Sequence, residues 1–453
     1  MKKVFLLFTI AYFLLLNLLN AQKTFSREEL LDDMDSLYVM INEVHPDMFA
    51  FLSKEAFEEQ LDQARLLVRD GMTVCEFFKV IAPLVAALGD GHTSVYFPYT
   101  LWDSKTLLIP FEAEVQYADS SVFVIRDYSD PENAIPVSAK VMRINKKDMK
   151  KMVSEMLTWI SGEQDFYKVA TLNQRFRELM YIAMNDTVFK MVYNVEGKEM
   201  EKTIPARSYG HIFHAAKKAD AEKQQRALYY LDIDEENEIA IIYFNGFDDL
   251  SRFEIFADSA FSVIREREIG DLIIDIRENN GGDSRIGDEF FQYISPVPFE
   301  QFGKVIMRVS PRQMAFAEKY HGWTFGPEDT LGSWSYEVSE LNALRDNPLR
   351  FQGDAYLLTS HYTFSSASSF AWAFQYFEMG KVIGEETGGM VVSFGDVIPQ
   401  FLPNTRMQFG TSHKKFYHYG ATDNNIHGTI PDHQVPVDQA MDHAVDLILR
   451  SRR

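Results

Sequence analysis

From Leu228 to the C-terminus the chain alternates apolar strand-like runs with amphipathic helical ones, and this alternation restricts the fold more than any other feature. The run NEIAIIYFNGF (237–247) precedes the helical stretch SRFEIFADSAFSVIRERE (251–268), which leads into the apolar strand DLIIDI (271–276). A helical DSRIGDEFFQYI (283–294) follows, and later AYLLTS (355–360) leads through a short turn into SSASSFAWAFQYF (365–377). Strands separated by helices of this length pair in parallel, with the helices covering the sheet faces. The expected fold class is therefore α/β, built on a mostly parallel sheet.

Upstream the pattern differs. From Ser26 to about Leu88 apolar residues recur at three- and four-residue spacing, with Ser26 and Glu29 placed as a capping box, Pro46 ending the first helix and Gly71 placed to stop the second. Between about 100 and 215 short strands such as SSVFVIRDY and KVMRINKKDM dominate, interrupted by helical patches near 148–160 and 170–184. The polar stretch ADAEKQQR (219–226) reads as a linker or exposed loop. This gives a division into 22–99, an N-terminal helical subdomain, 100–226, a β-rich insert, and 227–453, the α/β core.

The first residues, MKKVFLLFTIAYFLLLNLLNAQ, have a basic start, an apolar run and a small residue at Ala21. They read as a secretory signal peptide over 1–21 cleaved after Ala21, against a competing reading as a retained anchor. No later stretch reaches about 18 apolar residues, so no stable membrane insertion is expected after cleavage. Cys75 is the only cysteine, so no internal disulfide can form, and its apolar helical surroundings suit a core residue. Export without disulfides fits a bacterial periplasmic or secreted enzyme. With 45 basic against 66 acidic residues, a net charge of −21, the chain is a poor counter-ion for phosphate, and nucleic acid is not expected as a partner.

Three short segments could carry chemistry. Ser365, Ser366 and Ala367 open a helix directly after a strand, where helix amides can stabilise an oxyanion, although serines in that place commonly serve as caps. Gly281 and Gly282 follow the strand DLIIDI and let backbone N–H groups approach a ligand, or simply make a tight turn. His92 follows a Gly-Asp-Gly turn in LGDGHTSVYF, where a histidine can be structural. A nucleophilic hydroxyl needs a base of near-neutral pKa and an oxyanion site; Ser366, His92 and the glycine turn supply one of each, if they converge.

The pieces LGDGHTSV, LIIDIRENNGG, TFSSASSFAWAF, VIGEETGG and HGTIPD occur in the order found in tail-specific (C-terminal processing) serine peptidases, and the set resembles the tricorn-like branch of that family. The resemblance covers 228–437 well and the opening helices loosely. It implies a crotonase-like ββα spiral for the core, Ser366 as nucleophile, His92 as general base, and an oxyanion hole from the backbone of Gly281 or Gly282 and of Ala367. In the dyad branch a lysine follows the Gly-Glu-x-Thr-x-Gly turn. Met390 stands there in this chain, so the resemblance points to His92 instead. Two departures stand out: Ser369 occupies a position commonly acidic, and Asn425 sits where the acid that orients the histidine is expected, leaving Asp423 as the candidate. The segment IPVSAKVMRINKKDMKKMV resembles the second half of a PDZ domain, but Ser138 and Lys146 replace its glycines, so the insert is PDZ-like at best.

The expected function is an exported serine-type endopeptidase acting on peptide or protein substrates without metal or organic cofactor. His413, His418, His427 and His433 are too irregularly spaced for a metal site. The alternative is a catalytically weak peptide- or hydrophobic-ligand-binding protein on the same scaffold.

Overall fold

In the computed structural model, residues 23–221, 227–322, 326 and 329–453 are described. The expected signal peptide, and residues 222–226 of the expected linker, lie outside them. Residues 219–221 of that linker close the helix Tyr209–Ala221.

Among the described residues the first three helices are Arg27–Val44, Lys54–Leu67 and Val74–Ala86. Ser26 and Glu29 form the expected capping box, and Thr73 and Glu76 form a second one. The second helix ends at Leu67, short of Gly71. Gly71 instead lies in the link to the next helix at φ +78° and donates its N–H to the Phe25 carbonyl. No helix among the described residues is long and apolar enough to cross a membrane.

The insert is an antiparallel sheet in the order 198–205, 188–195, 140–144, 122–127 and 111–115. Helices Met149–Leu157, Asp165–Gln174 and Phe176–Ala183 pack beside it. Its core is continuous with that of the opening helices: Phe77 and Ile81 share one apolar cluster with Phe111, Met152 and Phe189.

From Tyr229 onward the expected sheet forms, in the order 229–234, 239–244, 271–275, 354–359, 381–384 and 433–434. The first pair is antiparallel and the remaining four are parallel. Alternate residues of each central strand face opposite sides, so both faces must be apolar. Leu272, Ile274 and Leu357 meet Phe253, Phe290 and Phe370 on one side, while Ile273 and Leu358 meet Ala444 and Ile448 on the other. Much of the phenylalanine content is used here. Phe291 stacks on Phe370 at 4.4 Å, and each fully buried ring contributes about 2 kcal/mol. This anchors the helix that begins at Ser366.

A second, antiparallel sheet runs 334–338, 302–308, 408–418 and 392–401. The short strand Ser94–Val95 joins it, pairing Ser94 with Gly410 and Val95 with Phe409. That pairing brings the His92 turn, remote in sequence, onto the α/β core.

Candidate active site

The strand Asp354–Thr359 turns through 360–365 into the helix Ser366–Tyr376. Hydrogen bonds lace this turn to the end of the neighbouring strand: Thr363 Oγ1 donates to the Ile276 carbonyl at 3.0 Å and Ser360 Oγ to that of Arg277 at 2.6 Å. The Phe364 N–H reaches the Asn279 carbonyl at 3.2 Å. Ser365 takes φ +54°, ψ −129°, a conformation sparsely populated outside glycine that persists only where its surroundings impose it. Ser365 makes no side-chain cap bond, so the cap reading of these serines does not describe it. Ser366 opens the helix nearly buried, and its hydroxyl donates to the Gly282 carbonyl at 2.6 Å.

The glycine turn is shaped to meet that corner. Gly281 and Gly282 have φ of +98° and +137°. A Cβ on Gly281 would lie 2.7 Å from the Ser365 Cβ and 2.8 Å from the Ser366 nitrogen, and one on Gly282 would collide with the Phe247 carbonyl. Only glycine lets the turn press this closely. Of the three amides expected as oxyanion donors, Gly281 N–H is spent on Asn279 Oδ1 at 2.9 Å and Ala367 N–H on the Phe364 carbonyl at 3.1 Å. Among the described residues, the Gly282 N–H makes no recorded hydrogen bond.

His92 reaches this corner through Phe364, on which its ring stacks with centroids 4.5 Å apart. Both imidazole nitrogens are shut off from solvent. Burial lowers the His92 pKa, opposed by the carboxylates of Asp90 and Asp396 and by the Phe394 backbone. Asp90 is the nearer anchor: it accepts the His92 N–H at 2.9 Å, and its Oδ1 lies 4.0 Å from Nδ1. Its carboxylate, wholly buried, also takes bonds from His45 Nε2 at 3.1 Å and Ser412 Oγ at 2.6 Å. Burial alone would raise the Asp90 pKa, but these partners hold it well below the usual carboxylate range. The Asp47 N–H donates to His45 Nδ1 at 3.0 Å, leaving the His45 proton on Nε2, directed at Asp90.

Asp423, expected to orient the histidine, is not brought to it. Its side chain is 77% exposed, accepts from the Tyr417 hydroxyl at 2.7 Å and lies 3.7 Å from Lys415 Nζ. Asn425 turns back on its own loop, accepting from the Thr422 N–H. Asp423 is held at the surface by Tyr417 and Lys415, whereas the His92 ring lies against Phe364 and beside Gly395. Asp90 was legible in the same LGDGH segment as His92, two residues earlier, but its burial was not.

Ser369, where relatives commonly carry an acid, bonds to His418 Nε2 at 3.0 Å. Both residues are buried, and burial pushes the His418 pKa down to about 3. One turn after Ser366, a neutral pair thus ties the helix to the antiparallel sheet.

Residues 238–435 match the model of peptidase family S41. No curated protein matches the chain in sequence. Among solved structures, a mutant of CPAF is similar with a TM-score of 0.65 at 10% identity, covering 93% of this chain and 96% of that one. Mature CPAF gives 0.63 at 11% identity over 93% and 96%, and its complex with lactacystin gives 0.63 at 10% over 94% and 98%. At such identities the likeness is one of fold.

Proposed function

Because residues 238–435 are those of a serine-type peptidase of family S41, we propose that this chain is an exported endopeptidase with Ser366 as nucleophile and His92 as general base. The observation that carries the assignment is the Ser366 hydroxyl held at 2.6 Å against the Gly282 carbonyl, at the start of a buried helix and beside a turn only glycine can make. In the proposed reaction the hydroxyl turns from Gly282 toward the imidazole, which takes its proton as the oxygen attacks the peptide carbonyl. The oxyanion is received by the Gly282 N–H, joined by the Ala367 N–H as it turns from the Phe364 carbonyl. His92 then protonates the leaving amine, and water releases the acyl-enzyme by the same steps reversed. The buried Asp90 carboxylate supplies the negative charge that supports the imidazolium, the role the sequence reading gave to Asp423.

The leader over 1–21 is the basis for placing the enzyme in a bacterial periplasm or outside the cell. The core is taken as a crotonase-like spiral and the insert as PDZ-like at best, with peptides or proteins as substrates.

A fluorophosphonate probe tests the assignment. Stoichiometric labelling of the wild type that vanishes in a folded Ser366→Ala variant supports it, with peptidase activity falling at least about a thousandfold. No labelling of well-folded wild-type protein would instead favour the ligand-binding alternative.

A further inference from the structure

The strand Trp334–Val338 forms one edge of the antiparallel sheet and, among the described residues, pairs only with 302–308. Two bonds bracket that pairing. The Val309 N–H reaches the Ser333 carbonyl at 3.0 Å, and the Ser339 N–H reaches the Gly303 carbonyl at 3.4 Å. Bonded positions alternate along an antiparallel strand, so 333, 335, 337 and 339 bond into the sheet. The N–H and C=O groups of Trp334, Tyr336 and Val338 therefore point away from it. Such an edge is a template for another strand, and proteins commonly guard it with lysine, proline or a covering loop. Here the strand carries one charge, Glu337, and the side chains of its three outward-bonding residues lie exposed on one face.

The spacing of the exposed apolar residues selects the partner. Between 329 and 375 the large apolar side chains left exposed are those of Leu331, Trp334, Tyr336, Val338 and Leu341, each 44–74% exposed. They are placed symmetrically about Tyr336, at two and at five residues to either side. A second copy of the strand, laid antiparallel with a two-fold axis at Tyr336, sets Trp334 opposite Val338, Tyr336 opposite itself and Leu331 level with Leu341. In that register the outward N–H and C=O groups meet their counterparts, because 334 with 338 and 336 with 336 become the bonded pairs. No like charges oppose one another: Glu337 faces Ser335, and Glu340 comes level with Gly332. Aromatic and β-branched residues directly opposite each other are favourable cross-strand pairs. An unrelated peptide needs only the main-chain edge, whereas a second copy uses the mirrored apolar spacing as well.

We propose that this edge is a two-fold dimer interface, in which the strands Trp334–Val338 of two copies pair antiparallel about Tyr336 and join their sheets into one. The contact is isologous, so it closes at two copies and leaves no free edge on either strand.

Sedimentation of the purified protein from about 1 to about 100 µM tests this. An edge of this length makes a small interface, so the wild type is expected to dimerise with a Kd on the order of 10 µM, its mean mass rising toward twice that of the chain. Tyr336→Lys, which sets two like charges face to face at the axis, should weaken association at least about tenfold. Thiol cross-linking reads the register, with the wild type and its half-buried Cys75 as the blank. Under mild oxidation Tyr336→Cys should join to its copy, while Glu337→Cys, which faces Ser335, should do so at least about tenfold more slowly. Wild-type protein that stays monomeric at about 100 µM overturns the proposal. So does a dimer that Tyr336→Lys leaves intact, or one in which the two cysteine variants cross-link alike. If the variants do not fold, amide exchange in the wild type decides. The N–H groups of Trp334, Tyr336 and Val338 should exchange more slowly at about 100 µM than at about 1 µM, and rates independent of concentration overturn the dimer.

Discussion

The Ser366 hydroxyl donates to the main-chain carbonyl of Gly282 at 2.6 Å, so Ser366 and the glycine turn hold each other across 84 residues of sequence. The turn must be glycine because a Cβ at 281 or 282 would strike Ser365 and Ser366 or the Phe247 carbonyl. The bond also means that the hydroxyl has to rotate before a base can take its proton.

Replacing Gly282 with alanine tests that contact. The added Cβ would strike the Phe247 carbonyl at a φ of +137°, a backbone state reserved for glycine. Gly282→Ala is expected to cost about 3 kcal/mol or more and to abolish labelling of Ser366. Thermal denaturation and probe labelling check both; a variant of unchanged stability that still labels would refute the fit.

Asp90→Asn probes the anion beside His92, the proposed base. Asp90 titrates below its ordinary value in the folded protein, so its stabilisation is present above about pH 4 and is lost as the pH falls through the folded-state value. At neutral pH the substitution leaves His45 Nε2 facing a neutral amide, and a loss of about 3 kcal/mol is expected by urea denaturation. The acid limb of labelling should also move to lower pH, because the imidazolium loses its closest negative neighbour.

The Ser369–His418 pair makes a separate acid-side prediction. Folded His418 refuses a proton until about pH 3, while the unfolded chain accepts one near 6.5, so stability falls as the pH drops from 6.5 toward 3. His418→Gln should flatten that fall, measured by denaturation at several pH values. Ser369→Ala should cost about 1–2 kcal/mol by leaving Nε2 buried and unpaired.

Asp423→Ala should leave labelling within about twofold of wild type, because the side chain is exposed and bonded to Tyr417 and Lys415. A large loss of labelling would restore Asp423 to the site and remove Asp90 from that role.

Much of the architecture was legible in the chain. The parallel sheet followed from apolar runs such as DLIIDI, whose residues are buried on both faces, and the first helix cap from Ser26 and Glu29. These are local patterns, and the physics that reads them is local too. The second helix, extended to Gly71 by its pattern, stops at Leu67, where the chain turns to pair Thr24–Phe25 with Met72–Thr73. A strand partner that pairs Phe25 with Met72, far outside the helix, leaves no mark in the helix's own periodicity.

The sequence by itself determined the α/β core and the placing of Ser366 at a strand-to-helix corner. Each depends on neighbours a few residues apart. Tertiary structure alone decided that Asp90 rather than Asp423 lies beside His92, that Ser369 meets His418, and that the turn at 281 and 282 admits only glycine. Those relations arise because the strand Ser94–Val95 joins a sheet formed more than 300 residues later, and because burial sets which carboxyl stays charged. Neither a long-range pairing nor the loss of water around a side chain is written in the residues that experience it.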